Sequence, residues 1–133
     1  MANALYDKGR QSFLEGTIAF LTDTIKIALV TSGYTPNLAT HQFLSDLGAN
    51  TVGTDQTLGT KTSTSGVANA ANPSWTSVTG TSITYLALYK STGVAGTSPL
   101  IGLIDTATGL PFSITGGNVS VTFDTGANKI FKL

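Results

Sequence analysis

Ile83-Thr84-Tyr85-Leu86-Ala87-Leu88-Tyr89-Lys90 decides the fold class of this chain. Aliphatic and aromatic side chains fall on both faces of this extended run, which marks a central strand covered on two sides. Ser91-Thr92-Gly93 stops it. Working outward, Ile25-Lys26-Ile27-Ala28-Leu29-Val30 is a second strand, ending at Ser32 and Gly33. Leu100-Ile101-Gly102-Leu103-Ile104-Asp105 is a third, closed by Thr108-Gly109-Leu110-Pro111. Val119, Val121 and Phe123 alternate with Ser120 and Thr122 behind a Gly116-Gly117-Asn118 turn. Asp124 to Asn128 holds a further turn, and Lys129-Ile130-Phe131-Lys132-Leu133 is a last short strand. Strands separated by turns, with little helix, predict one mainly β domain over 1–133. The expected architecture is an antiparallel β-sandwich or jelly roll with one or two short helices. No interval repeats, so a solenoid is excluded.

Three segments depart from that rhythm. In residues 1–21, Leu5, Gly9 and Phe13 recur at helical spacing, with Tyr6 and Leu14 beside them. Asn3 is a candidate cap and Gly16 a candidate stop. Gly9 in the middle weakens such a helix by about 1 kcal/mol relative to Ala. An N-terminal helix and an extended arm both fit. After Pro36-Asn37, Leu38, Phe43, Leu44 and Leu47 sit near helical spacing before Gly48, which predicts a short helix with Thr40 as its cap. Residues 50–66 are nearly all Thr, Gly, Ser, Asp and Gln, with Val52 and Leu58 as the only aliphatics. β-Branched Thr suits an exposed strand, and the same composition suits a loop. Val67 to Ala71 and Trp75 to Val78 are short apolar pieces bounded by Asn, Pro or Gly.

The charge balance removes several functions. Seven Lys+Arg face seven Asp+Glu, so the net charge is zero. Charged residues are only 11% of the chain, against about a quarter in an ordinary soluble domain. Thr, Ser, Gly and Asn together make 57 of the 133 residues, so the polarity is almost all uncharged. No basic run exists to neutralise phosphates, and nucleic acid is not an expected partner. The longest apolar runs, such as Ile27-Ala28-Leu29-Val30, fall far short of a membrane span, and no membrane partner is expected. Asp7, Lys8, Arg10 and Glu15 occupy the place where a signal peptide is apolar, so no secretory address is expected. There is no Cys, hence no disulfide and no thiolate. A neutral, hydroxyl-rich surface repels its own copies weakly and favours association.

The search for chemistry gives no catalytic residue, no metal site and no cofactor. His41 is the single imidazole, and no Gly-x-Ser-x-Gly elbow accompanies it; packing or capping is the expected role. Zinc needs three or four His, Cys or carboxylate ligands. The acids are scattered singly. Asp105 and Asp124 both end strands, where Asp commonly bonds its own turn. Gly93-Val94-Ala95-Gly96-Thr97 lacks the Lys-Ser/Thr ending of a phosphate loop. Tyr6, Phe13, Phe20, Tyr34 and Trp75 are expected in the core rather than on a ligand platform. Trp75 with Asn69 and Asn72 is the one cluster of a carbohydrate-binding module's kind.

Two stretches carry a resemblance. One is Met1-Ala2-Asn3-Ala4-Leu5-Tyr6-Asp7-Lys8-Gly9-Arg10, running through Phe13-Leu14 and Asp23 to Val30 and on to Asn37-Leu38-Ala39-Thr40-His41-Gln42-Phe43-Leu44-Ser45-Asp46. The other joins Leu88-Tyr89-Lys90-Ser91-Thr92-Gly93, Ile104-Asp105-Thr106-Ala107-Thr108-Gly109-Leu110-Pro111 and the tail from Asp124 to Leu133. Together they resemble a family of small virion structural proteins of tailed bacteriophages, and the 50–66 region resembles it least. The resemblance implies a non-enzymatic capsid cement (decoration) protein that binds the phage major capsid protein and stabilises the head. It also implies a homotrimer at the capsid surface, made in the host cytoplasm. A tail, adaptor or head-completion subunit is the alternative within virions. A carbohydrate-binding module is the alternative of another class. No active-site residue comes with the resemblance.

The residues themselves nominate an interface. Residues 1–21 hold Leu5, Tyr6, Phe13, Leu14, Ile18, Phe20 and Leu21, more apolar mass than a solvated terminus needs. Either the segment packs on its own domain or it reaches a neighbour. Leu5, Tyr6, Phe13 and Phe20 are the candidate contact residues, with Tyr6 and Phe13 foremost as large anchors.

Overall fold

The computed structural model describes residues 4–79, 82–105, 116–123 and 129–133. The expected turns at 108–111 and 124–128, and Asn3 as a cap, lie outside them. Among the described residues the protein is mainly β with one α-helix, and the strands pair antiparallel. In chain order they are β1 (Ala4–Leu5), α1 (Asp7–Leu14), β2 (Ile25–Thr31), β3 (Thr51–Thr57), β4 (Val67–Ala68), β5 (Ser74–Trp75), β6 (Ile83–Lys90), β7 (Leu100–Ile104), β8 (Val119–Ser120) and β9 (Phe131–Lys132).

The run that decided the fold class is the middle strand. The main sheet has the order β1-β7-β6-β2-β3, with β6 between β7 and β2. Ile27 stands opposite Leu88, and Leu29 opposite Leu86. Because side chains alternate across a strand, these four share one face, while Ala28, Val30, Ala87 and Tyr89 share the other. Each face has its own cluster of buried side chains. Ile27, Leu29, Leu86, Leu88 and Ile101 pack with Ala68, Trp75, Val119, Val121 and Phe123. The strands covering this face form two small sheets, β4 with β9 and β5 with β8. Ala28, Val30, Ala87, Tyr89, Leu100 and Leu103 pack with Tyr6, Tyr34 and Leu47 on the opposite face. A strand apolar on both sides is therefore one buried on both sides.

The Thr-rich stretch splits. Residues 51–57 form the edge strand β3, and the main ladder breaks register between Ile27 and Leu29 where β3 bulges. Gly53 there adopts φ +71°, open to Gly at no steric cost. A 3-10 turn at Thr64–Gly66 leads into β4.

The helix expected between Pro36 and Gly48 reduces to one 3-10 turn, Leu44–Leu47. The Asp46 carboxylate accepts the N–H groups of Gln42 and Phe43 at 2.7 and 2.9 Å, and Gly48 at φ +62° ends the turn. Thr40 is not the cap. Asn37 Oδ1 takes the Ala39 and Thr40 N–H groups instead, folding 37–40 into a side-chain-mimicked turn. Leu44 N–H and Leu100 N–H then tie this loop to Ser98 and Gln42 carbonyls, both at 2.8 Å.

Of the two readings of the N-terminal segment, its own domain wins. Leu5 pairs with Gly102 at the sheet edge, and Tyr6 N–H donates to the Ile101 carbonyl at 3.0 Å. Asp7 opens α1, where a negative charge favours the helix dipole. The helix crosses β7 so closely that a Cβ on Gly9 would lie 2.7 Å from the Ile101 oxygen. Gly9 is therefore not a defect in the helix. It is the contact.

Candidate functional site

Leu5, Tyr6 and Phe20, three of the four residues nominated for an interface, are buried in the protein's own core, and Phe13 is partly buried against it. Tyr6 is 0% exposed. The reason is sheet-edge pairing: the strand that holds Leu5 turns Tyr6 inward beneath the loop that carries Tyr34. In this conformation Tyr6 has no surface to offer a partner, so an arm anchored through it is corrected.

What the segment builds instead is an aromatic cluster of Phe13, Phe20 and Phe131, with Phe20 buried and the other two partly so. The Phe13 and Phe131 rings lie 5.9 Å apart, and Phe20 meets Phe131 edge-on at 5.7 Å. Leu14 and Leu21, chain neighbours of the first two rings, are 89% and 52% exposed. The loop carrying Phe20 is pinned. Asp23 Oδ2 accepts the Ala19 N–H at 2.7 Å, and the Lys90 ammonium bonds the Thr17 carbonyl at 2.7 Å and Asp23 at 3.2 Å. Lys61 donates to the Asp23 carbonyl and sits over the Phe20 ring. The Ala19 N–H, followed by the Lys90 ammonium, holds the Asp23 carboxyl below its usual range.

Two polar constellations lie on the other face of the sheet. Tyr6 Oη and Tyr34 Oη are 2.8 Å apart, and Tyr34 Oη is 2.7 Å from His41 Nδ1. The imidazole also lies against the Tyr34 ring, at 5.4 Å between centroids. Burial raises the Tyr6 hydroxyl far above its ordinary range and raises Tyr34 as well. Both remain protonated phenols. Across the sheet, Tyr89 donates to Asp55 Oδ2 at 2.5 Å, fastening edge strand β3 to β6 over β2. Burial lifts the Asp55 carboxyl above its usual range, against the pull of that bond and of Lys26.

His41 is thus packed, as expected, with a partner the sequence did not reveal. Among the described residues no three His, Cys, Asp or Glu side chains gather as a metal site. Of the carboxylate pair at the strand ends, Asp124 lies outside the described residues. Trp75 is only 2% exposed. Asn69 and Asn72 line a small cavity of about 210 Å³ that Trp75 does not line, and Asn72 Oδ1 accepts the Phe123 N–H at 2.9 Å. The exposed Trp that a sugar platform needs is absent from this cluster. Among the described residues, no helix is long and apolar enough to cross a membrane.

The two tyrosine constellations had no signal in the sequence. Their partners lie 28 and 34 positions apart and meet only through strand register. Leu14 and Leu21 had the same apolar signal as their buried neighbours. No protein-family model, no curated protein and no solved structure matches the chain.

Proposed function

We propose that this protein is a capsid cement protein: a non-enzymatic subunit that binds the major-capsid lattice of a tailed phage and stabilises its head. The observation that carries the reading is the exposure of Leu14 and Leu21, the chain neighbours of the packed rings of Phe13 and Phe20. Leucines this exposed on a neutral, charge-poor protein are free to meet a partner, and little charge repulsion opposes the contact. The sequence resemblance to small phage virion proteins supplies the partner. Within this reading the main sheet and the small sheets are the layers of a jelly-roll-like sandwich, and the subunit is a homotrimer, closed cyclic symmetry being the norm.

The test is incorporation. Phage particles that contain this chain should carry on the order of hundreds of copies each, measured by quantitative mass spectrometry, as a closed lattice demands. About a dozen would point to an adaptor or tail ring instead. Leu14→Asp combined with Leu21→Asp should leave the circular dichroism spectrum unchanged and abolish binding to purified heads. Undiminished binding by that folded variant overturns the assignment of the two leucines.

A further inference from the structure

We infer that the Tyr6–Tyr34–His41 chain is a proton-operated latch on the N-terminal segment, closed when His41 is neutral and released when it is protonated. The geometry is a line of three groups, with 2.8 Å from Tyr6 Oη to Tyr34 Oη and 2.7 Å on to His41 Nδ1. Each phenol has one proton to donate. With a neutral imidazole carrying its proton on Nε2, Tyr6 donates to Tyr34 and Tyr34 donates to Nδ1. Every donor then has an acceptor.

Protonation of His41 reverses the order. Nδ1 becomes a donor and takes the Tyr34 oxygen as its acceptor. Only one hydrogen bond can then form between the two phenols, and one phenolic proton has nowhere to go. Tyr6 is 0% exposed and Tyr34 4%, and the bond between their hydroxyls is buried, so the proton left over between them is a buried donor. A buried donor left unmade is the expensive case, whereas a bond between solvated groups is nearly neutral. Imidazoles as a class change charge between pH 5 and 8, so that is the range the test brackets.

The groups facing the latch do not cancel this. Tyr85 meets the Tyr34 ring edge-on, with 6.3 Å between centroids. Asp46 attracts the imidazolium, yet it is exposed and its Oδ2 already accepts the Gln42 and Phe43 N–H groups. Attraction to an exposed carboxylate is screened by water. The element that loses its support is the start of the chain. Tyr6 links β1 to α1; its N–H bond to Ile101 holds the segment against β7, and the Asp7 N–H bond to Leu38 ties it to the loop after β2. Release therefore opens the β7 edge of the main sheet while the β2–β6–β7 centre stays paired.

The experiment is native-state hydrogen exchange on the full chain at pH 7.5 and pH 5.5, corrected for intrinsic rates. In the natural protein, protection of the Tyr6 and Asp7 amides should fall by about tenfold at pH 5.5, the order of an orphaned buried donor. The amides of β2 and β6 should keep theirs. His41→Asn places a carbonyl near the Nδ1 position that accepts at either pH, and its protection should not depend on pH. Tyr34→Phe breaks the line, so its Tyr6 and Asp7 amides should be weakly protected at both pH values. Equal protection of the natural protein at the two pH values overturns the latch, as does the same acid loss in His41→Asn.

Discussion

Gly9→Ala should destabilise this protein, against the ordinary direction of a glycine-to-alanine change in a helix. On propensity alone the new residue gains about 1 kcal/mol. The structure opposes that gain. The added Cβ would lie 2.7 Å from the Ile101 oxygen and 2.8 Å from the Leu100 oxygen, while ordinary contact begins at 3.4 Å. The helix must retreat by the difference between 3.4 and 2.7 Å, or 0.7 Å, because the obstructing atoms are backbone and cannot rotate away. Retreat pulls on the Tyr6 N–H bond to Ile101 at 3.0 Å and on the Asp7 N–H bond to Leu38 at 2.8 Å. Overpacking of this kind costs about 1–3 kcal/mol, and rigid backbone places it at the upper end. The net loss is then about 1–2 kcal/mol, which for a domain of this size lowers the Tm by about 3–8 °C. Gly96→Ala is the control: nothing lies within 4 Å of its Cβ, and its stability should stay within about 0.5 kcal/mol. Paired urea and thermal unfolding of both variants reads the outcome. A Gly9→Ala protein as stable as the natural one would falsify the close docking of α1 on β7.

Other consequences are quicker to state. Leu86→Ala empties a fully buried position opposite Leu29 and Ile104 and should cost about 2–5 kcal/mol in urea unfolding, with a loss under 1 kcal/mol refuting its central place. Asp55→Asn tests a sign. Burial raises the folded-state carboxyl above its ordinary value, so the stability it contributes is present below the unfolded pKa and is lost as pH rises through the folded one. The advantage of Asp55→Asn over the natural protein should therefore grow between pH 4 and pH 7, and a shrinking difference contradicts the burial. Lys90→Met removes the ammonium that bonds Thr17 and Asp23, but the pair is about a quarter exposed, so the loss should stay below about 1 kcal/mol by thermal melting. A larger loss would show that the 15–24 loop depends on that one cation.

The central sheet was readable because its signal is local. Ile83 to Lys90 and Ile25 to Val30 place apolar groups at every position that two covered faces require, and the observed strands match to within a residue. The small sheets were only half readable. Val119, Val121 and Phe123 are buried as their alternation implied, yet β8 is two residues long and β4, β5 and β9 are no longer, too short for any period to appear. At 37–48 the apolar spacing suggested a helix, but Asn37 and Asp46 side chains captured backbone N–H groups first. Polar caps outcompeted a weak helical pattern. The apolar residues of 5–21 were correctly read as a packing segment in kind, though not in address. Which of them turn inward depends on β7, nearly a hundred residues away.

That division has a consequence for binding in the proposed role. Of the two foremost anchors, Tyr6 is spent on the core and Phe13 is partly buried against it, while Leu14 and Leu21 stay exposed. Burying one leucine side chain contributes about 1.5–3 kcal/mol at most, so the pair supplies about 3–6 kcal/mol. A micromolar complex needs about 8 kcal/mol, and association itself costs several more. One copy held through these two leucines would therefore dissociate readily from a capsid. Three copies in one closed unit present three such pairs, and the second and third engage at the high effective concentration that the first creates. Head binding should then depend more steeply on assembly of the subunit than on either leucine. Leu14→Ala alone should weaken binding by about tenfold per pair while the trimer still decorates. A variant made monomeric elsewhere, with Leu14 and Leu21 intact, should fail to decorate at all in a co-sedimentation assay. If that monomer binds heads as tightly as the natural protein, the leucine pair is not the principal contact and the cement reading needs a different surface.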